Sequence, residues 1–285
     1  MNNLATLRNT VWAIVPEALD AICEAEATGG PSIDLQVAHK PRSSGTVGVV
    51  PVFGMLDNRM SFLMALFGGT STEQVSASFD LLLKNPDVGS IVLEFDSPGG
   101  SIYGIPELAT KIHDARGTKP IVAQVNAMCG SAAFWLASAC DEIVVTPSGD
   151  IGSHGVLAVH YDKSEANEKE GVKPNYIQYG KYKTECSSDA PLTEEAHEEL
   201  QRRVDQVGEM FTKALAKNRG VSASVVRDRF GQGRMFGASD AIQRGMADRE
   251  ATLEATITRL ASGSRAKSRR RAEVGRRRLA LAKSI

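Results

Sequence analysis

Twenty-one residues from Pro120 to Cys140 carry no charge, and that stretch restricts what this 285-residue chain can fold into. It is long enough to cross a bilayer as a helix, yet Gln124, Asn126, Gly130 and Ser131 interrupt it. A buried strand at Ile121–Val125, a turn over Asn126–Gly130 and a buried helix at Ser131–Ser138 account for it better than a membrane span.

The flanking pattern repeats this alternation. Thr46–Phe53 and Ile91–Phe95 read as strands, and Ser71-Thr-Glu-Gln74 is a capping box opening a helix with Val75, Phe79 and Leu82 on one face. A helix is expected at Ile105–Ala115. Further strands are expected at Glu142–Thr146, Val156–Tyr161 and Asn175–Gln178, with a helix around Lys163–Glu170. Thr193 caps a long helix to about Lys217, with Leu200, Val204, Val207 and Phe211 as its apolar stripe. Strands alternating with helices predict an α/β fold with a largely parallel sheet, whose sites lie at the carboxyl ends of the strands.

Composition agrees: 42% hydrophobic and 24% charged residues suit an ordinary globular core and exclude collagen-like, disulfide-stapled or mostly disordered chains. The net charge of −1 hides an asymmetry, because nine basic residues and one acidic residue follow Ser264, leaving the body near −9. Nucleic-acid binding is therefore expected only through the basic tail. Cys23, Cys129, Cys140 and Cys186 form no CxxC pair and no metal-ligand spacing, so they read as reduced thiols and no metal or cofactor is implied. Asn2–Pro16 contains Arg8 and lacks a long apolar core and cleavage site, so it does not read as a signal peptide. Residues 1–45 are read as a peripheral segment, with a short helix at Pro16–Ala27 and a mobile Gly29–Ser44. Residues 46–262 are read as the folded domain, and 263–285 as a disordered basic tail.

Three loops carry the candidate chemistry. Asp96-Ser-Pro-Gly-Gly100 places two glycines at a strand end, where N–H groups unused by the sheet are expected; read alone, it is a tight turn. Neither a P-loop nor a dinucleotide-binding glycine frame is present. Gly130-Ser131-Ala132-Ala133 opens the apolar helix. A serine there is most often a side-chain N-cap, while as a nucleophile it would gain from the free N–H groups of the helix start. Met128 and Ala133 rule out the glycine-flanked elbow of the α/β-hydrolases. Tyr179-Gly-Lys-Tyr-Lys183 offers two lysines, which act as bases only when burial lowers their pKa. Histidine is the usual partner of serine. His113 and His197 fall on helices and His160 in a strand pattern, while His154 sits in the site-type loop Gly152-Ser-His-Gly155. The residues leave lysine and histidine both open as the base.

Taken together, these loops resemble peptidase family S49, the signal peptide peptidase A group with its phage and prophage head proteases. The matching segments are Asp96–Gly100, Gly130–Ser138, Thr146–Gly155, Gly180–Lys183 and Gly233–Asp248, with order and spacing carrying the specificity. The resemblance implies a ClpP/crotonase-like fold and a serine endopeptidase. Ser131 would be its nucleophile and Lys183 its general base, with Lys181 as competitor, and Ser153 would orient the lysine. Gly100, with Gly99 as near alternative, and Ala132 would supply oxyanion N–H groups, and His154 would have no catalytic duty. Val11-Trp-Ala-Ile-Val-Pro-Glu17 resembles the opening of the head proteases, and the chain shows no membrane anchor like that of the signal peptide peptidases. The expected partners are protein substrates, specifically phage scaffold, portal or capsid proteins, and other copies of the chain in a homo-oligomer. The expected place is the host cytoplasm or the assembling head. A bacterial cytosolic S49-type peptidase, a catalytically silent structural component and a crotonase-type acyl-CoA enzyme are the rival readings.

Overall fold

The computed structural model describes residues 11–20, 40–60 and 68–263. The basic tail, Cys23 and most of the expected Pro16–Ala27 and Gly29–Ser44 segments lie outside these residues. Among the described residues, besides helical residues at 16–20 and 253–263, the elements are, in chain order, β1 (Trp12–Ile14), β2 (Arg42–Ser44), β3 (Val47–Phe53), β4 (Leu56–Asp57), β5 (Thr70–Ser71), α1 (Thr72–Lys84), β6 (Ser90–Ser97), β7 (Gly99–Ser101), α2 (Ile105–Asp114), β8 (Ile121–Gly130), α3 (Ala132–Ser138), β9 (Glu142–Val145), β10 (Asp150–Gly152), α4 (Ser164–Lys169), α5 (Glu194–Arg219), α6 (Ala223–Arg229), β11 (Met235–Gly237), α7 (Ala238–Arg244) and β12 (Arg249–Glu250).

The main sheet runs β11-β10-β8-β6-β3-β2, with β9 also on β8 and β12 on β9. Its central pairs are parallel, and the outer pairs β10–β11 and β2–β3 are antiparallel. Strand alternation sorts the core into two layers. Ile91, Leu93 and Phe95 of β6 face the large cluster under α1, α2, α3 and α5, while Val92 packs on the other side with Val49, Val122, Val144, Leu253 and Leu260. The α/β class with a largely parallel sheet is the one expected.

Local signals place most elements well. Ser71 accepts from the Gln74 N–H at 3.2 Å and the Gln74 side chain reaches back to the Ser71 N–H, completing the expected capping box of α1. Thr193 caps α5 by accepting from the Ala196 N–H. Two expectations fail. Asn126–Gly130 is the second half of β8 and not a turn: β8 pairs with β9 through Val125 and with β10 from Met128 to Gly130, and its register against β6 shifts between Phe95 and Ser97. The polar residue there is exposed and serves a neighbouring strand, since the Asn126 amide donates to buried Glu94 at 2.9 Å. Val156–Tyr161 and Asn175–Gln178 form no strands. Leu157 makes only an isolated bridge to Trp12, so His160 is not on a strand, and Ile177 is 98% exposed with no strand beside it.

Helix α3, buried along its whole length, ends on an arginine clamp. The Arg116 guanidinium donates to the carbonyl oxygens of Ser138, Ala139 and Cys140 at 2.8, 2.8 and 2.5 Å and to that of Asn218 at 3.1 Å. A cation is favourable at a helix C-terminus, where carbonyls lack intrahelical donors. Arg116→Met is expected to lower stability by roughly 3 kcal/mol, since several charge-assisted bonds go and the acceptors are left half-buried. Urea denaturation checks this, and a change within about 0.5 kcal/mol would refute it.

Candidate active site

Ser131 follows the last residue of β8 at φ 52° and ψ −112°, a conformation that L residues rarely adopt. Its N–H donates to the Gly152 carbonyl at 2.8 Å, and its carbonyl accepts from the Trp135 N–H at 3.0 Å, which opens α3. The hydroxyl does not cap the helix, the common role of serine at this position. It donates instead to the Gly155 carbonyl at 3.2 Å, and the whole residue is buried.

Ser153 mirrors it one strand away. Gly130 and Gly152 are register partners in the parallel pair β8–β10, so Ser131 and Ser153 leave adjacent strands at the same level. Ser153 is also buried and also at positive φ, 53°, with its N–H held by the Arg234 carbonyl at 2.9 Å. The carboxyl ends of the parallel strands thus hold both serines, as expected for sites in such sheets.

The glycine pair lies beside them, and here the expectation of unused N–H groups fails. Gly99–Ser101 forms a short strand, β7, with β1 antiparallel on one edge and β4 on the other, and the Gly99 N–H meets the Ser97 hydroxyl at 3.2 Å. A methyl group on Gly100 would sit 1.9 Å from the Leu56 carbonyl oxygen, and one on Gly99 would sit 3.0 Å from the Ala132 nitrogen. Only glycine fits where backbone approaches this closely. Gly99 therefore lies close against Ala132, the first residue of α3.

Lys183 is not brought to Ser131. It lies exposed on a turn, its N–H bonded to the Gly180 carbonyl at 3.3 Å, and its ammonium has no partner among the described residues. Lys181 is committed elsewhere: it donates to Glu195 at 2.9 and 3.2 Å and to the Tyr182 hydroxyl at 3.1 Å. Bonds to Tyr182 and then to Glu195 push its pKa up, the wrong direction for a base.

His154 points into the core. Its Nε2 meets the Thr212 hydroxyl at 3.0 Å, and that hydroxyl donates to the Gly208 carbonyl, so Nε2 carries the proton. Nδ1 is buried without a partner, and the ring meets Phe211 edge-on at 4.9 Å. Burial, with the Arg227 charge adding to it, lowers the His154 pKa to about 4. Unfolded histidine titrates near 6.5, so between these values the unfolded chain binds the extra proton. Stability is complete above about pH 6.5 and is expected to fall by roughly 3 kcal/mol as pH drops to about 4. His154→Gln is expected to flatten that part of the pH profile in thermal unfolding while leaving Ser131 reactive. An unchanged slope would refute the assignment.

Among the described residues, no group of acidic, histidine and cysteine side chains is arranged to hold a metal, and no helix is long and apolar enough to cross a membrane. Cys129 and Cys140 are buried, and burial pushes both thiols up, Cys129 with help from Cys140. They are packing residues and not nucleophiles.

The site joins, in an α/β fold, a serine at positive φ on a strand–helix junction to a glycine strand beside the helix start. Residues 113–267 match the model of peptidase family S49, and the chain belongs to that family. It is 33% identical over 202 residues to capsid assembly protease C of Escherichia phage lambda, covering 71% of this chain and 46% of that protein. It is 30% identical over 202 residues to the head-tail preconnector protein GP5 of Enterobacteria phage P21, covering 71% of this chain and 40% of that one. The chain thus spans less than half of these two relatives. Among solved structures, a variant of the 1510-N membrane-bound stomatin-specific protease aligns at TM-score 0.47 and 15% identity, over 77% of this chain and 86% of that one.

Proposed function

We propose that the chain is a serine endopeptidase with Ser131 as nucleophile and Lys183 as general base, cutting proteins of a phage head during assembly. The observation that carries this reading is the Ser131 hydroxyl: released from capping, on a residue held at positive φ, and set at the mouth of a helix whose first residue lies beside Gly99. Similarity to phage head proteases supports the class of substrate.

In the proposed reaction, neutral Lys183 takes the Ser131 proton as the oxygen attacks the scissile carbonyl. The N–H groups of Ala132 and of Gly99 or Gly100 hold the oxyanion, and the lysine then passes the proton to the leaving amine. Water releases the acyl group by the same route. Ser153, beside Ser131, orients the amine once the 171–189 segment folds over the site. A second copy of the chain packing on that segment is the proposed means of burying it, which makes a homo-oligomer part of this reading.

The exposure of Lys183 favours a second reading, a silent structural component of an assembly. Labelling with a fluorophosphonate probe, with casein cleavage alongside, separates the two. Wild type and His154→Ala are expected to label and cleave, and Ser131→Ala to do neither. An unlabelled wild type at every pH and oligomeric state would favour the structural component.

A further inference from the structure

Strand β1 lies between the glycine strand and the loop that follows Ser153. Val11, Trp12, Ala13 and Ile14 are all at most 4% exposed, although the sequence reads as peripheral there. On one edge, β1 pairs with β7 in the register Trp12–Ser101, Ala13–Gly100 and Ile14–Gly99, and the Val15 N–H donates to the Pro98 carbonyl at 2.9 Å. On the other edge, Trp12 and Leu157 exchange both backbone bonds, at 2.8 and 2.9 Å. Residues 12–15 therefore thread between the glycine strand and the segment that follows Ser153.

That path crosses the reacting position. A methyl group on Gly99 would sit 2.3 Å from the Ala13 carbonyl oxygen and 3.0 Å from the Ala132 nitrogen, and one on Gly130 would sit 2.7 Å from Val15 Cγ2. The strand thus lies against Gly130, which precedes Ser131, and against Gly99, which neighbours Ala132 on its other side, on a line an extended peptide would follow to bring a carbonyl to the hydroxyl. Ser131 itself is fully buried, so no protein substrate reaches it in this arrangement.

The contacts also define what fits. Trp12 and Ile14 lodge in a small cluster with Leu19 and Met55, flanked by half-buried Leu157 and Val159, while Ala13 points to the main core. Three strand residues and one isolated bridge are a peptide-sized attachment, small beside the main sheet.

We propose that residues 11–15 are an intramolecular occupant of the substrate strand position, which closes the site until a peptide displaces them. The displacing peptide is an extended segment with large apolar residues on either side of a small one. This rests on the reading of Ser131 as nucleophile.

The test is a tether. Trp12 and Leu157 are a hydrogen-bonded antiparallel pair, whose Cα spacing of about 5.5 Å suits a disulfide. The Trp12→Cys/Leu157→Cys chain is expected to cleave casein at least tenfold more slowly when oxidised than when reduced, with wild type unaffected by the same treatment. Trp12→Ala/Ile14→Ala, which loosens the strand, is expected to raise kcat/KM at least fivefold, a gain that loss of folding cannot produce. A binding arm on the Ser131→Ala background uses a fluorescent peptide spanning Val11–Glu17, expected to bind the loosened chain at least tenfold more tightly than the oxidised tethered one. Equal binding and equal cleavage by oxidised and reduced forms would overturn the proposal. Peptide binding that obeys the tether, without any Ser131-dependent cleavage, would support the occupied strand site and sink the peptidase reading alone.

Discussion

Ser131→Ala is expected to lose roughly a thousandfold or more of peptidase activity with little change in stability. Alanine keeps the Cβ, and with it the strained φ of 52° and the bond from residue 131 to the Gly152 carbonyl. Only the 3.2 Å hydroxyl bond to Gly155 goes, a change worth about 1 kcal/mol. Ser131→Gly makes a second, sharper comparison. It is equally inactive, yet glycine tolerates positive φ, so its backbone strain is relieved by on the order of 1 kcal/mol. Steady-state cleavage and denaturant unfolding on the three proteins check both halves. Activity surviving in the alanine variant would end the assignment of Ser131 as nucleophile.

Lys183→Met is the second large effect: turnover is expected to vanish while the folded chain is as stable as wild type. An exposed lysine whose ammonium makes no hydrogen bond or ion pair among the described residues contributes little to folding, so any loss of activity reports chemistry. Lys183→Arg is expected to be inactive too, because a guanidinium does not give up its proton. Lys181→Met, which breaks only the surface pair with Glu195, is expected to keep most activity. Wild-type activity is expected to rise with pH, because a lysine accepts a proton only as the neutral amine. If Lys181→Met is the dead variant, or the pH profile is flat from about 5 to 9, the base is misassigned.

What could be read from the amino acids follows the range of each interaction. The capping box at Ser71 and Gln74 lies within four residues, so its letters announce it. The apolar run of α3 announces burial because every one of its faces is apolar. The expected chemistry of the three loops came from their joint resemblance to a family and not from any one of them. The pairing of β1 with β7 spans more than eighty residues, and three strand residues carry too little alternation to be recognised. For the same reason the glycine strand reads as a free loop until its neighbour is known. Asn126 and Gly130 resemble turn residues because the partner that uses the Asn126 amide, Glu94, lies on another strand. The geometry of Ser131 has no local signal at all: positive φ is usual at glycine, and the chain places a serine there.

The backbone walls around Gly99 and Gly100 have a consequence for what such a site can distinguish. The Leu56 carbonyl oxygen closes on Gly100, and the backbone of the occupying strand, at the Ala13 carbonyl, closes on Gly99, with no room for a side chain on either glycine. A surface made of main chain reads the shape of another main chain and is blind to most of its letters. It takes a segment that is already flat and extended, and it refuses the same letters coiled into a helix. Under the proposed function, selection would then rest first on whether a target has a stretch of chain loose enough to be straightened, so that the folding state of the target protein, more than a consensus around the cut, would decide when it is cleaved.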